Sequence, residues 1–591
     1  MNKNRSGYRL LSKLYFRLLP VQILLLLISS VNDIISSLSA SNFIGGEAMS
    51  AIGLYTPIGA FCYGVGMMFV GGSQILCGKY MGENEIEKTR KVFSADLLLT
   101  AVFSAVMTAV CLIGSLGDLT RILTPDPVVR ESLNRYLLGK AAGIMPLMLG
   151  LQISSFLSLE NQTKNATAAS VALLVSNFGL SYLFVGVLGM GEFGLALAPS
   201  VSLWIFLLIE MQHYFSGKSM MKLSPAGIGF REIWQIVKTG FPGSVGDGYI
   251  VILSFIVNAL IVRFIGSVGL SAYAATTSVM DILWTIPCGM QAVSRMLMSV
   301  SIGEEDRKSL TDVMRIGLFK CFPLVVCVTA AVIALAVPLT RMFYRDPADP
   351  VFEMTVTAFR ILPLYLPLSV VTLQFACYAQ AFGKQFLVHL LSLIDELLGV
   401  AVFSFLLIGP MGISGLCIAP ALSGAVCVLA IVLYSWISRK AFPQNVEQLM
   451  VIPDDFGVPE DARIDISVRN IDEVMNVSKQ VIDFCRRRGI DGRTAFFSGL
   501  CLEEMAANVV QHGFHKDNKK SHSVDIRVTH KRDDVILRIK DDCIPFDPAE
   551  RQEIFDPKDR AKGAGIRVVY KSAKDIRHQN ILGMNVLIIR M

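Results

Sequence analysis

FIGGEAMSAIGLYTP, residues 43–57, is answered by FIGSVGLSAYAATTS, residues 264–278, at an offset of 221 positions. Later landmarks keep nearly the same offset. Gly82-Glu83 recurs as Gly303-Glu304, and Leu119-Thr120-Arg121 recurs as Leu339-Thr340-Arg341. Asp126-Pro127 is matched to Asp346-Pro347, and Leu151-Gln152 to Leu373-Gln374. Gly194 with Ala198-Pro199 returns as Gly415 with Ala419-Pro420. Self-similarity at one fixed offset over so long a stretch marks a duplicated unit. Both copies are strongly apolar, so the duplicated unit reads as half of a membrane domain.

Each half holds six apolar segments of about 20 residues, the length that crosses a bilayer as a helix. They fall near 14–40, 49–79, 92–116, 134–158, 166–188 and 193–215, then near 235–265, 270–300, 313–338, 356–382, 386–408 and 413–437. The expected fold is therefore a membrane all-α domain of twelve transmembrane helices in two six-helix repeats. An even number of crossings per half makes the repeats parallel, related by an axis along the membrane normal, with a cavity between them. The basic start (Lys3, Arg5, Arg9, Lys13 and Arg17, with no acid among them) predicts a cytoplasmic N-terminus. Twelve crossings would return the chain to that side. The first apolar run is too long for a signal peptide and lacks a small-residue cleavage site.

Over 591 residues the chain is 53 % hydrophobic, and its mean hydropathy of +0.54 is far above that of soluble proteins. That excess belongs to the first 440 residues or so. The formal charge of +6 is modest and does not indicate a nucleic-acid partner. Twelve cysteines are scattered without pairs and show no C-x-x-C spacing, so they suggest neither a metal site nor a disulfide framework. The expected organisation is a first repeat at 1–220, a second at 221–437, an exposed proline-bearing connector at 438–462, and a soluble domain at 463–591. In that last part 471–489 and 494–512 read as helices. Val524–Thr529, Val535–Lys540 and Met584–Arg590 read as strands, and a further helix opens at Gly565.

Ionisable residues inside apolar spans are costly, which makes them functional candidates. Those singled out are Asp33, Asp247, Asp281, Asp395, Glu396 and Arg295. A carboxylate facing a wet cavity can bind a cation or a proton. The duplicated half, the pattern Phe-Ile-Gly-Gly-Glu-Ala-x-x-Ala-Ile-Gly-Leu and Gly-Glu-Asn-Glu at 82–85 together resemble the multidrug and toxin extrusion (MATE) family. Asn258-Ala259-Leu260 and Pro287-x-Gly289-x-Gln291-Ala292-Val293-Ser294 extend the resemblance, which covers roughly residues 10–440. It implies export of amphipathic or cationic small molecules in exchange for Na⁺ or H⁺. One departure and one match qualify it. Members often carry an aspartate where Ser36 stands here, and Asp33 lies about one turn away. Asp281 matches an acid often seen in the eighth helix. Asp395 and Glu396 inherit no role.

In the soluble part, GLCLEEMAANVVQHGF (499–514) sets Glu504 and Asn508 four apart, on one helix face. An amide oxygen there can hold Mg²⁺ on phosphates, and a carboxylate one turn earlier can activate a nucleophile. IKDDCIPFDP (539–548) ends a strand with Asp541, an acceptor for an adenine amino group. KGAGIRVV (562–569) opens a helix with bare backbone amides suited to phosphate. In this order the three stretches resemble the GHKL-type ATP-binding fold, an α/β sandwich, and within it the anti-sigma-factor serine kinases. The resemblance implies Glu504 as general base, Asn508 as Mg²⁺ ligand, Asp541 as adenine contact and Gly563 and Gly565 as phosphate loop. Lys562, with Lys558 and Arg560, would be phosphate contacts. His512 matches the family's usual helix-end histidine and reads as structural. Where the family has Asp-x-Gly, this chain has Asp541-Asp542-Cys543, which keeps a non-catalytic interaction module open as an alternative.

Three functions follow from these readings. The favoured one is a cation-coupled antiporter of the bacterial cell membrane with a cytoplasmic ATP-binding regulatory or kinase-like domain and a cytoplasmic protein partner. The others are a membrane-anchored signalling kinase using its helices as a sensor, and a lipid-linked sugar flippase. No G-x-x-x-x-G-K-[ST] loop is present, so ATP is not expected to power transport directly.

Overall fold

The computed structural model describes the chain except residues 1–5, 45, 118, 123, 125, 218, 225–227, 469, 515–521, 523, 532–533 and 544–563. The first half supplies α1 (Ser6–Phe43), α2 (Gly46–Gly82), α3 (Ile86–Leu116), α4 (Pro127–Leu159), α5 (Thr163–Ser181) and α6 (Gly191–Phe215). The second supplies α7 (Phe230–Phe264), α8 (Ser267–Gly303), α9 (Arg307–Ala334), α10 (Pro350–Ala381), α11 (Gln385–Met411) and α12 (Ile413–Arg439). Among the described residues, eleven of these are long and apolar enough to cross a membrane. The exception is α8, which is 37 residues long but carries Asp281 and Arg295. The expected twelve crossings are thus matched by length and composition for eleven helices.

Local chemistry marks the helix starts. Asp126 caps α4, its carboxylate accepting from Val128 N at 2.9 Å, with Pro127 in the first turn. Asp349 and Pro350 do the same for α10, with Val351 N at 2.9 Å. The sequence register had paired Asp126-Pro127 with Asp346-Pro347. The capping geometry corrects it, because a second Asp-Pro pair three residues on starts the helix.

The halves meet through repeat-equivalent glycines. A Cβ on Gly82 would overlap the Val300 carbonyl, and one on Gly303 would overlap the Lys79 carbonyl. Lys79 and Val300 are themselves 221 positions apart, so α2 and α8 cross reciprocally. One turn of the same kind follows each helix, with Asn84 at φ 62° and Glu305 at φ 51°. Further along α2, Gly72 and Gly240 of α7 press against each other's backbone in the same way. Only a residue without Cβ allows helices to approach this closely.

The C-terminal domain has five antiparallel strands: β1 (Arg463–Val468), β2 (Val524–Lys531), β3 (Asp534–Asp541), β4 (Asp575–Ile581) and β5 (Met584–Arg590). Their order is β1-β2-β3-β5-β4. The sequence reading found β2, β3 and β5 but not the two edge strands, whose patterns (RIDISV and DIRHQNI) are short or polar. Three further helices are numbered α13 (Ile471–Arg487), α14 (Gly492–Asn508) and α15 (Ala564–Ser572). Asn470 and Asp491 cap the first two. Val474, Val477, Val481, Leu502 and Met505 pack on Val524, Ile526, Val528, Leu537 and Ile539. Strand alternation puts the intervening residues Arg527, Lys531, Arg538 and Lys540 on the opposite face.

That charged face lies on the membrane domain. The tip between β4 and β5 enters the same apolar cluster as α1, α4 and α9, with Ile581, Leu582 and Met584 beside Leu10, Leu11, Leu159 and Leu310. Leu582 N donates to Leu159 O at 3.2 Å. The connector, largely exposed, is tied to the membrane domain at several points. Arg307 pairs with Glu447 (2.5 Å) and donates to Pro453 O (2.8 Å), and Lys384 donates to Val451 O (2.7 Å). Met450 and Ile452 are buried.

Candidate functional site

The soluble domain brings its three sequence stretches together. Glu504 and Asn508 lie one turn apart at the end of α14, both half-buried. A π turn, Val509–Gly513, follows Asn508, and a Cβ on Gly513 would stand 3.0 Å from Cys543 Sγ. This turn therefore sets the end of α14 against the end of β3, where Asp541 sits. Asp541 is buried, and its Oδ1 accepts from Asn585 Nδ2 (2.8 Å) and Cys543 N (3.0 Å). Burial pushes its carboxyl above the usual range, and those hydrogen bonds pull it part of the way back. A carboxylate fixed in this way is a shaped acceptor for an amino group. Helix α15, with Gly565 in its first turn, packs on α14. Gly563, Lys562, Lys558 and Arg560 lie outside the described residues, as does the His512 side chain. The Cys543 thiol, where the resembling family has glycine, faces Gly513 and His522. The helix that carries Glu504 and Asn508 packs on β3, which ends in the buried Asp541.

In the membrane domain the second half gathers its acids. Tyr365 lies within electrostatic reach of both Asp281 and Asp395, and Asp395 is hydrogen-bonded to Thr372 and Cys427. Asp395 and Glu396 form part of a π turn, Ile394–Leu398, inside α11. Such turns re-aim side chains and are common at functional sites. Glu396 reaches α7 at Gly246, where the missing Cβ leaves room for its carboxylate, next to Asp247. Asp281 is exposed. The side chains of Asp33 and Asp247 lie outside the described residues.

Two acids in the first half escaped the sequence reading. Asp96 of α3 is fully buried beside Ser73 and Cys77, and Glu210 of α6 is fully buried and accepts from the Ser154 hydroxyl. Both lie within segments already read as apolar spans, so the signal was present. Near them, Glu160 accepts from Ser219 Oγ (2.8 Å) and Met221 N (2.9 Å) and meets His213 Nε2 at 2.5 Å.

The junction between the domains is ionic on one side. Glu304 meets Arg538 (2.8 Å) and Lys540 (2.7 Å), while Asp306 meets Arg527 (2.6 Å) and Arg538 (2.8 Å). Glu305 pairs with Lys531. Burial alone would raise the Asp306 carboxyl, but Arg527, Arg538 and Lys540 outweigh it and hold the group well below the carboxylate range. On the other side Arg577 donates to Asn84 O at 3.3 Å. The domain thus touches the turns after α2 and α8, beside the reciprocal glycines.

Residues 21–183 and 249–406 match the family model MatE, and residues 469–591 match the Histidine kinase-like ATPase domain. The Probable multidrug resistance protein YoeA of Bacillus subtilis (strain 168) is 23 % identical over 49 % of this chain. This chain spans 65 % of that relative's length. A Probable multidrug resistance protein NorM of Bradyrhizobium diazoefficiens is 22 % identical over 57 % of this chain and 74 % of its own length. Among solved structures, the crystal structure of MATE in complex with MaL6 superposes with a TM-score of 0.68 at 19 % identity. It covers 75 % of this chain and 99 % of that one. The outward-facing conformation of a multidrug resistance MATE family transporter of the MOP superfamily gives a TM-score of 0.67 at 19 % identity, over 75 % and 98 %. At these identities the likeness speaks for the fold.

Proposed function

This chain belongs to the MatE family, and from that premise we propose that it is a cation-coupled exporter of amphipathic or cationic small molecules, regulated by its own ATP-binding domain. The carrying observation is where that domain sits: on the turns after α2 and α8, beside the close backbone crossing of those two helices, which we take to be one end of the proposed inter-repeat cavity. Opening this end requires the crossing to part. A rigid sheet bound to both turns opposes that motion, so docking and opening compete.

The orientation proposed from the basic N-terminus makes this the cytoplasmic end, with α8 crossing beside the other eleven helices. Asp281, Asp395, Glu396, Asp247 and Asp33 are the proposed Na⁺ or H⁺ and solute ligands, with Asp96 and Glu210 as additional buried acids. In the ATP-binding domain Asn508 would hold Mg²⁺, Asp541 the adenine, Glu504 would act as base, and Gly563, Gly565 and Lys562 would meet phosphate. Mg²⁺, when bound, neutralises phosphate charge, and the chain's own contribution is to seat the nucleotide edge on Asp541.

The test uses the full chain in proteoliposomes. Efflux of a fluorescent cation driven by a Na⁺ or pH gradient should be lost in Asp281→Asn and should respond to ATP. Asn508→Ala should remove the ATP response and keep the gradient-driven efflux. Efflux that survives Asp281→Asn together with Asp395→Asn would refute the coupling assignment.

A further inference from the structure

Next to the proposed nucleotide site, the end of β3 carries a second cluster, which shares with it only Cys543, whose backbone N–H holds Asp541. His522 Nδ1 stands 3.2 Å from Asp542 Oδ1 and 3.8 Å from Cys543 Sγ. One ligand atom from each of the three residues lies within 4.8 Å of the other two. The cluster is shielded: the His522 side chain is 3 % exposed and stacked on Phe514, and Cys543 is 5 % exposed. Its Nε2 has no hydrogen-bond partner among the described residues.

A nucleophile triad would place acid and thiol on opposite nitrogens of the imidazole. Here both converge on Nδ1, an arrangement that serves a shared central atom. Around a tetrahedral zinc ion, ligand bond lengths imply N···O separations of about 3.3 Å and N···S separations of about 3.6 Å. The observed spacings are close to both. We propose that His522, Asp542 and Cys543 form a binding site for one zinc-class divalent cation, with the fourth position left to water or a ligand.

Charge and softness agree with that assignment. Binding releases the Cys543 thiol proton to solvent, so the thiolate and the Asp542 carboxylate balance the charge of the ion. A thiolate and an imidazole select zinc over the Mg²⁺ that accompanies a nucleotide. The other oxygen of Asp542, Oδ2, meets Lys13 Nζ of α1 at 3.3 Å. The ion would therefore be tied through one carboxylate to the first membrane helix. Gly513 leaves the thiol its room, which explains how cysteine is accommodated at this position.

The experiment is metal analysis of the purified full chain after Zn²⁺ loading and desalting, with Co²⁺ substitution to report the thiolate by its charge-transfer absorption. Wild type should retain one equivalent beyond that held by Cys543→Gly, and the cobalt band should vanish in that variant. Removing a direct ligand should cost at least as much as removing an outer partner, so His522→Ala should weaken Zn²⁺ by about 100-fold or more, and Asp542→Asn by about 10-fold. Cys543→Gly restores the residue of the resembling family, and His522→Ala, at a residue outside the proposed nucleotide contacts, should keep Mg²⁺-ATP binding, which reports that the domain is folded. Equal zinc content and an unchanged cobalt spectrum in Cys543→Gly would overturn the proposal, as would wild type that retains no zinc.

Discussion

The turns after α2 and α8 are copies of one another that have acquired different partners. Gly82-Glu83-Asn84-Glu85 and Gly303-Glu304-Glu305-Asp306 share their glycine, their helix crossing and a left-handed third residue. The second turn gives three carboxylates to the C-terminal sheet, whereas the first gives a single carbonyl to Arg577. Asp306 also caps α9 by accepting from Ser309 N at 3.0 Å. Its counterpart Glu85 makes no side-chain cap to α3. Duplication preserved the backbone, and a few side chains made one copy an anchor. A duplicated membrane core thereby presents an asymmetric surface to its appended domain.

This contrast can be broken at the anchor first. Asp306→Ala leaves Arg527 and Arg538 without a shared buried counter-charge, and loss of one partner from such a pair costs about 3–5 kcal/mol. The C-terminal domain should undock, seen as cleavage of the connector near Asp454-Asp455 by limited proteolysis. Arg538→Met should cost less, about 1–3 kcal/mol, because Lys540 still meets Glu304 and Arg527 still meets Asp306. Arg577→Gln, on the weak side, should shift the same proteolysis midpoint by about 1 kcal/mol or less. If Arg577→Gln undocks the domain as readily as Asp306→Ala, the anchor is not where the charges are.

Titration sharpens the comparison further. The folded Asp306 carboxyl lies well below its unfolded value near about 3.9, so its stabilisation is fully present above that value. It is lost as pH falls through the folded value. Proteolytic protection of the connector should thus be flat from neutral pH down to about pH 4 and should fall only below it. In Asp306→Asn this acid-dependent step should shrink. A protection loss centred near pH 6 would instead point to a group other than Asp306.

The repeat, the apolar spans, the two domains and the residue types of the proposed nucleotide site could be read from the sequence because each depends on local spacing. Amphipathic and apolar periodicity survive without knowledge of distant neighbours, as does the four-residue step from Glu504 to Asn508. Asp96 and Glu210 were legible too, as acids within apolar runs. Other features belong to tertiary structure alone. Nothing local distinguishes Asp306 from any other helix cap, since its buried role depends on arginines more than 200 positions away. The edge strands β1 and β4 needed partners to be recognised. His522 meets Asp542 and Cys543 only because β2 and β3 pair antiparallel and bring Val524 opposite Asp541. Sequence by itself determined which pieces this protein has. The packing of those pieces decided which charges are buried together, because burial is a property of neighbours that the chain brings from afar.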